Sequence, residues 1–199
     1  MNIDVVFPVP FLHDYLELDN DAIEQYCYQL RDNVPEEQRM PDSWQSSWLD
    51  LEDPVLSSLV NVVQQKMHET SANLYKFTDE YTISLKNYWV NINQPNGQSV
   101  SNTMPHMHGH YFFSMVYYVK CNEGSGQLCL IPPHGHLDYT IPHQLITDFN
   151  VFNSQRWNVS PEVGKLVGFP SWINHYADNN NSNGDRISIA FNGMIERRI

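Results

Sequence analysis

Two histidines one residue apart stand in the stretch Pro105-His106-Met107-His108-Gly109-His110. In an extended strand, residues i and i+2 point to the same face, so His106 and His108 would project together. Two adjacent imidazoles can hold a divalent metal, and a third group from another strand would complete one face of it. His175 is the natural third group. It follows Leu166-Val167-Gly168-Phe169, an apolar run that reads as a strand, and a Pro170-Ser171-Trp172 corner. Arg186 comes eleven residues later, at the head of the alternating stretch Arg186-Ile187-Ser188-Ile189-Ala190-Phe191-Asn192. An arginine there offers a fixed fork for a carboxylate. The HxH pair alone fits two half-exposed loop histidines equally well, and it is the company of His175 and Arg186 that favours a metal.

The other polar and aromatic candidates have plainer readings. His110 shares the parity of His106 and His108 and could line the mouth of a site, but a polar strand end suffices. His134 and His136 flank Gly135 among prolines, in a stretch that reads as a loop without strand parity; a substrate-facing lid suits it better than a second metal site. His13, His68 and His143 have no partners in sequence. Asn91 and Asn93 alternate with apolar Val90 and Ile92, so they face either solvent or the site. The tryptophans at 44, 48, 89, 157 and 172 read as core or loop anchors.

The elements that must position these residues begin with an apolar stretch, 3–12, broken by Pro8 and Pro10, which reads as an edge strand. A helix follows, capped by Asp21 with Glu24 three residues on. Its stripe is Ile23, Tyr26, Cys27 and Leu30. Residues 35–52 read as a loop pinned by Trp44 and Trp48. Asp53-Pro54 starts a second helix with Leu56, Leu59, Val60, Val63 and Met67 on its buried face, running to about Tyr75. From residue 80 the texture is β: strands at 81–85, 87–93, 112–120 and 127–131, weak ones near Phe149 and Val151, and the last at 166–169 and 187–191. Turns fall at Gln94–Gly97 and Asn122–Gly126. The pattern predicts one domain over 1–199, with 1–79 as helical support and 80–199 as a barrel or jelly roll.

Composition narrows the class. The 199 residues suffice for one well-cored domain, and the formal charge of −12 disfavours nucleic acid and anionic membranes as partners. The three cysteines form no CxxC pair, which fits a reducing compartment. The N-terminus lacks the features of a signal peptide, and no apolar run approaches the roughly 18 residues of a membrane span. A soluble cytoplasmic protein is the expectation. The apolar edge at 3–12 could support a homodimer.

From about Trp89 to Asn192 the sequence resembles the iron(II)- and 2-oxoglutarate-dependent dioxygenases, in the prolyl-hydroxylase-like branch and especially those of marine bacteria and phages. The resemblance is carried by His106-Met107-His108, Ser114-Met115-Val116-Tyr117-Tyr118, Gly126-Gln127-Leu128-Cys129-Leu130, Gly164 to His175, and Arg186 to Asn192. It implies a double-stranded β-helix core. It implies His106 and His175 as Fe(II) ligands, Arg186 and Ser188 as holders of the remote 2-oxoglutarate carboxylate with Tyr118 beside them, and Asn192 as a contact to cosubstrate or substrate. The implied reaction hydroxylates a small-molecule or peptide substrate with O2, releasing succinate and CO2. One departure stands out: the wider superfamily has a carboxylate where this chain has His108. Either His108 is a third, neutral ligand, the preferred reading, or it supports a site completed by water. The runner-up is a cupin-type metal protein without 2-oxoglutarate, which would not need Arg186 and Ser188 on its last strand. A metal-free jelly roll is the third.

Overall fold

A computed structural model describes residues 2–40, 42–95, 104–133 and 142–198. Helix α1 spans Asn20–Asp32 and is capped by Asp19, whose carboxylate accepts from the Ala22 N–H at 3.0 Å. The cap thus lies two residues before the expected Asp21, which instead sits in the first turn, where a negative charge suits the helix dipole. Ile23 and Cys27 are buried, with Tyr26 and Leu30 half-buried beside them. Helix α2 spans Ser57–Glu69. It starts later than the Asp53-Pro54 signal because Asp53 caps a separate turn, accepting from the N–H groups of Val55 and Leu56 at 2.9 and 3.1 Å. All five residues of its expected apolar face are buried, and a π-helical turn, Thr70–Leu74, extends it.

Among the described residues nine strands follow in chain order: β1 (Leu12–Tyr15), β2 (Ser43–Gln45), β3 (Tyr81–Asn93), β4 (Phe113–Lys120), β5 (Leu128–Leu130), β6 (Trp157–Val159), β7 (Lys165–Pro170), β8 (His175–Ala177) and β9 (Arg186–Arg197). They build two antiparallel sheets, one ordered β1-β7-β4-β9-β3-β2 and one ordered β6-β5-β8. The chain is therefore mainly β with two helices, as expected.

Several elements differ from the sequence reading. Residues 3–11 form no strand, since Pro8 and Pro10 supply no N–H to a ladder; pairing begins at Leu12, on the sheet edge. The expected strands at 81–85 and 87–93 are one strand with an irregularity between Leu85 and Asn87. Gln64 of α2 repairs it, accepting from the Leu85 N–H at 2.9 Å and donating to the Ile83 carbonyl at 3.2 Å. No strand forms near Phe149 and Val151, where Asn150 side-chain and backbone bonds close turns instead. Trp44 is buried as an anchor, whereas Trp48 is 70% exposed. Asn96 and Gly97 of the expected turn lie outside the described residues. All three cysteines are free thiols.

The central pair β3–β9 separates two environments. Tyr88, Val90 and Ile92 on β3, with Ile187, Ile189 and Phe191 on β9, join the core under α1 and α2. The alternate residues Trp89, Asn91, Asn93, Arg186, Ser188 and Asn192 line a cavity on the other side. A second apolar cluster, including Tyr118, Phe169, Val167, Leu128 and Leu130, joins the two sheets.

At Gly193 the Met67 side chain of α2 packs close against the β3–β9 ladder. A Cβ there would stand 2.7 Å from Met67 Sδ and 2.8 Å from Ile83 Cγ2. Gly193→Ala is expected to destabilise the fold by about 1–3 kcal/mol through overpacking, read as a lower urea midpoint with unchanged slope.

Candidate active site

The three histidines are brought together by backbone hydrogen bonds, not by a continuous strand. His106 and His175 form an isolated antiparallel bridge, N–H to carbonyl at 3.0 and 2.9 Å in the two directions. The His108 N–H donates to the Ser171 carbonyl at 2.8 Å. The expected HxH strand is therefore absent, yet the side chains still converge. Ring centroids lie 4.5 Å apart for His106 and His175, 5.3 Å for His106 and His108, and 5.2 Å for His108 and His175. One ligand atom from each lies within 4.8 Å of the others.

The protonation chemistry suits a metal. Nδ1 of His106 faces the Met104 carbonyl at 3.1 Å, and Nδ1 of His175 faces the Ile173 carbonyl at 2.9 Å. A carbonyl can only accept, so both Nδ1 atoms carry the proton and each Nε2 keeps a free lone pair. Burial lowers the pKa of His175 from the usual 6.5 to about 4, and the neighbouring histidines add to the shift. Burial, then His106, brings His108 down to about 4 as well. Three converging imidazoles, two of them held neutral by burial, are a donor set for Fe(II), Ni(II) or Zn(II).

The same cavity, about 200 Å³, holds Arg186, Ser188, Tyr118 and Asn192. Arg186 is only 4% exposed. Its Nη1 donates to the carbonyls of Ser125, Asp178 and Gly126 at 2.7, 3.0 and 3.3 Å, and its Nη2 to Asn93 Oδ1 at 3.1 Å. Gly126 is required for that cradle: its φ is +81°, and a Cβ would lie 2.4 Å from the Asp178 carbonyl and 2.9 Å from Arg186 Nη1. Among the described residues no carboxylate forms an ion pair with Arg186, so its hydrogen bonds go to neutral dipoles, with the Asp178 charge acting from further off. Of its five N–H groups, Nε–H and one on Nη2 have no partner among the described residues. Burial lowers its pKa, opposed by Tyr118 and Asp178. The Tyr118 hydroxyl has no protein partner among the described residues, and burial pushes its pKa up to about 12, so it stays a neutral donor. Ser188 sits between them in register, opposite Asn91 on one side and Tyr118 on the other. Free donors around an uncompensated guanidinium fit a carboxylate ligand.

Residues 87–192 match the family described as "Putative 2OG-Fe(II) oxygenase". The chain belongs to the 2OG-Fe(II) oxygenases. Their cofactor is Fe(II), with 2-oxoglutarate and O2 as cosubstrates. No curated protein matches in sequence. Among solved structures, a prolyl-4-hydroxylase from Pseudomonas putida is 14% identical over 96% of this chain and 94% of its own, with a TM-score of 0.61. A Trichoplax adhaerens prolyl hydroxylase, in complex with a hypoxia inducible factor oxygen degradation domain peptide fragment, is 14% identical over 92% and 83%, with a TM-score of 0.62. HygX from Streptomyces hygroscopicus, with nickel and 2-oxoglutarate bound, is 12% identical over 94% and 83%, with a TM-score of 0.57. This likeness establishes a shared fold for the oxygenase.

Of the other candidates, His13, His68 and His110 do not line the cavity of the oxygenase. His110 is exposed and does not line it, while His134 and His136 lie outside the described residues. His13 and His68 are exposed. Three features escaped the sequence. Trp89, read as an anchor, lines the cavity 5.7 Å from the His108 ring. Gln45 lines it from β2, out of a stretch read as loop. Asn93 binds Arg186, its register partner, and a correct β3–β9 register would have revealed that contact.

The buried histidines set a pH dependence. Both His108 and His175 bind protons less readily folded than unfolded, so the unfolded chain takes up protons first as pH falls. The metal-free protein is expected to lose stability progressively from about pH 6.5 to about pH 4. Urea midpoints across that window check this, and His175→Gln should flatten the slope.

Proposed function

We propose that this oxygenase is a hydroxylase, with His106, His108 and His175 holding Fe(II) and Arg186, Ser188 and Tyr118 holding the remote carboxylate of 2-oxoglutarate. The observation that carries the reading is a single cavity with three converging imidazoles and a buried guanidinium that, among the described residues, has no carboxylate ion pair. When bound, Fe(II) supplies the electrons that activate O2, coupling loss of CO2 from 2-oxoglutarate, with formation of succinate, to insertion of one oxygen atom into a substrate C–H bond.

The chain's own residues do the positioning. Backbone carbonyls at Met104 and Ile173 hold two imidazole tautomers, which leaves Nε2 of His106 and His175 as the atoms that would hold the ion. His108 takes the place where the wider superfamily has a carboxylate, making the donor set wholly neutral. The charge of the cosubstrate is then met by the ion at one end and by Arg186 at the other. Ser125, Gly126, Asp178 and Asn93 fix the fork of Arg186, leaving its free N–H groups and the Tyr118 hydroxyl to meet oxygens. Phe169 and Leu128 flank the cavity and keep water from those bonds.

A cupin-type protein that binds metal but not 2-oxoglutarate is the competing reading. Anaerobic titration of the protein with Fe(II) and then 2-oxoglutarate separates the two through the visible charge-transfer band of the ternary complex. The band is expected in the wild type and absent in His175→Ala. Arg186→Lys keeps the charge and loses the fork, and should raise the 2-oxoglutarate concentration needed by about 10–100-fold, the loss of a charge-assisted hydrogen bond. Tight Fe(II) binding with no band at any 2-oxoglutarate concentration would favour the cupin reading.

A further inference from the structure

Arg186, Ser188, Ala190 and Asn192 form the inward row of β9 and all line the cavity. Six residues at about 3.3 Å each set Asn192 about 20 Å along the strand from Arg186. A five-carbon diacid has four C–C bonds of about 1.5 Å and cannot span more than about 6 Å. A cosubstrate anchored on Arg186 therefore leaves the Asn192 end to something else.

That end is built around a directed hydrogen-bond chain. Ser114 Oγ donates to Asn192 Oδ1 at 2.8 Å. Ser114 has one hydroxyl proton, so at its 2.8 Å contact with Ser171 Oγ it must accept. The order is Ser171 to Ser114 to Asn192. All three side chains are buried, at 0%, 3% and 1% exposure. The chain pins the amide oxygen of Asn192 and so orients its Nδ2, which has no partner among the described residues. It also begins at the residue whose carbonyl holds the His108 N–H, placing Asn192 on the histidine side of the cavity. Asn87, the register partner of Asn192, is buried too, and its Oδ1 lacks a donor. Asn87 does not line the cavity, whereas Asn192 does, so the N–H groups left on its oriented Nδ2 are available to a ligand there.

We infer that Asn192 is the substrate-orienting residue of this oxygenase, presenting its amide N–H to an uncharged acceptor oxygen, such as an amide carbonyl, next to the carbon that is oxidised. Ser114 and Ser171 are positioning residues that act through it. Trp89 flanks the same region and favours an apolar neighbour beside that carbonyl. The inference rests on the oxygenase reading and adds the chemical class of the substrate.

The test uses the full chain loaded with diamagnetic Zn(II), with 2-oxoglutarate and then N-methylacetamide as probes, read by 15N–1H NMR. The Asn192 side-chain amide is assigned by its disappearance in Asn192→Asp, which keeps the acceptor for Ser114 and removes the donor. 2-Oxoglutarate is expected to shift the Ser188 backbone amide and leave the Asn192 side chain in place. N-methylacetamide, added to that complex, should shift the Asn192 side chain and have no saturable effect in Asn192→Asp. Ser114→Ala should weaken the N-methylacetamide response severalfold, with Ser114→Thr restoring it, while the response of Ser188 to 2-oxoglutarate is unchanged in both. If 2-oxoglutarate moves Asn192 as far as Ser188, or N-methylacetamide leaves Asn192 unmoved in the complex, the assignment is overturned and the oxygenase reading stands. If 2-oxoglutarate moves neither residue, the oxygenase reading falls and takes this inference with it.

Discussion

Burying a guanidinium without a carboxylate is the constraint around which the molecule is arranged. Arg186 cannot shed its charge, so the fold surrounds it with dipoles. Three are backbone carbonyls from two separate segments, and the fourth is the Asn93 side chain. Holding those carbonyls in place takes a glycine at 126 with a left-handed backbone and the β3–β9 register that sets Asn93 opposite Arg186. A charge solvated by neutral dipoles is tolerated, and it still gains from a true counter-ion. The resting protein is thus prepared for an anion at Arg186, in the same cavity as the histidines.

The β3–β9 pair converts this local demand into architecture. Its two faces carry opposite chemistry, aliphatic and aromatic toward the helices, amide, hydroxyl and guanidinium toward the cavity. A shift of one residue in register would exchange the faces and bury amides under α1 and α2. The apolar side is therefore the guarantor of the polar side. Gln64, reaching from α2 to the irregularity at Leu85, lets the strand keep its pairing on both sides of that break.

Much of this was legible in the residues. The apolar face of α2 and the strands expected at 112–120 and 166–169 follow from period, and His106, His108 and His175 were picked out as candidates, though the HxH strand expected to align them is absent. What escaped was long-range or side-chain-specific. Nothing local distinguishes a cap at Asp19 from one at Asp21, since both precede the same stripe. β8 is three residues long and exists because Leu130 pairs with His175, a contact between distant segments. The histidines converge through a two-bond bridge that strand parity does not describe. Asn93 was visible as a polar residue on an alternating strand, but its partner could be named only once the register was known.

That bridge has a consequence for assembly. His106 and His175 are joined by one pair of backbone hydrogen bonds, and His108 hangs from Ser171 by another. From His108 to His175 the chain runs 67 residues, so an ion held by these rings clasps a long loop. The three rings meet only in the folded chain, so such an ion would bind that state and not the unfolded one. Loading and folding then become one linked equilibrium, in which metal scarcity acts on the protein as a mild denaturant. The cell's iron supply would set how much of the protein exists as well as how much is active.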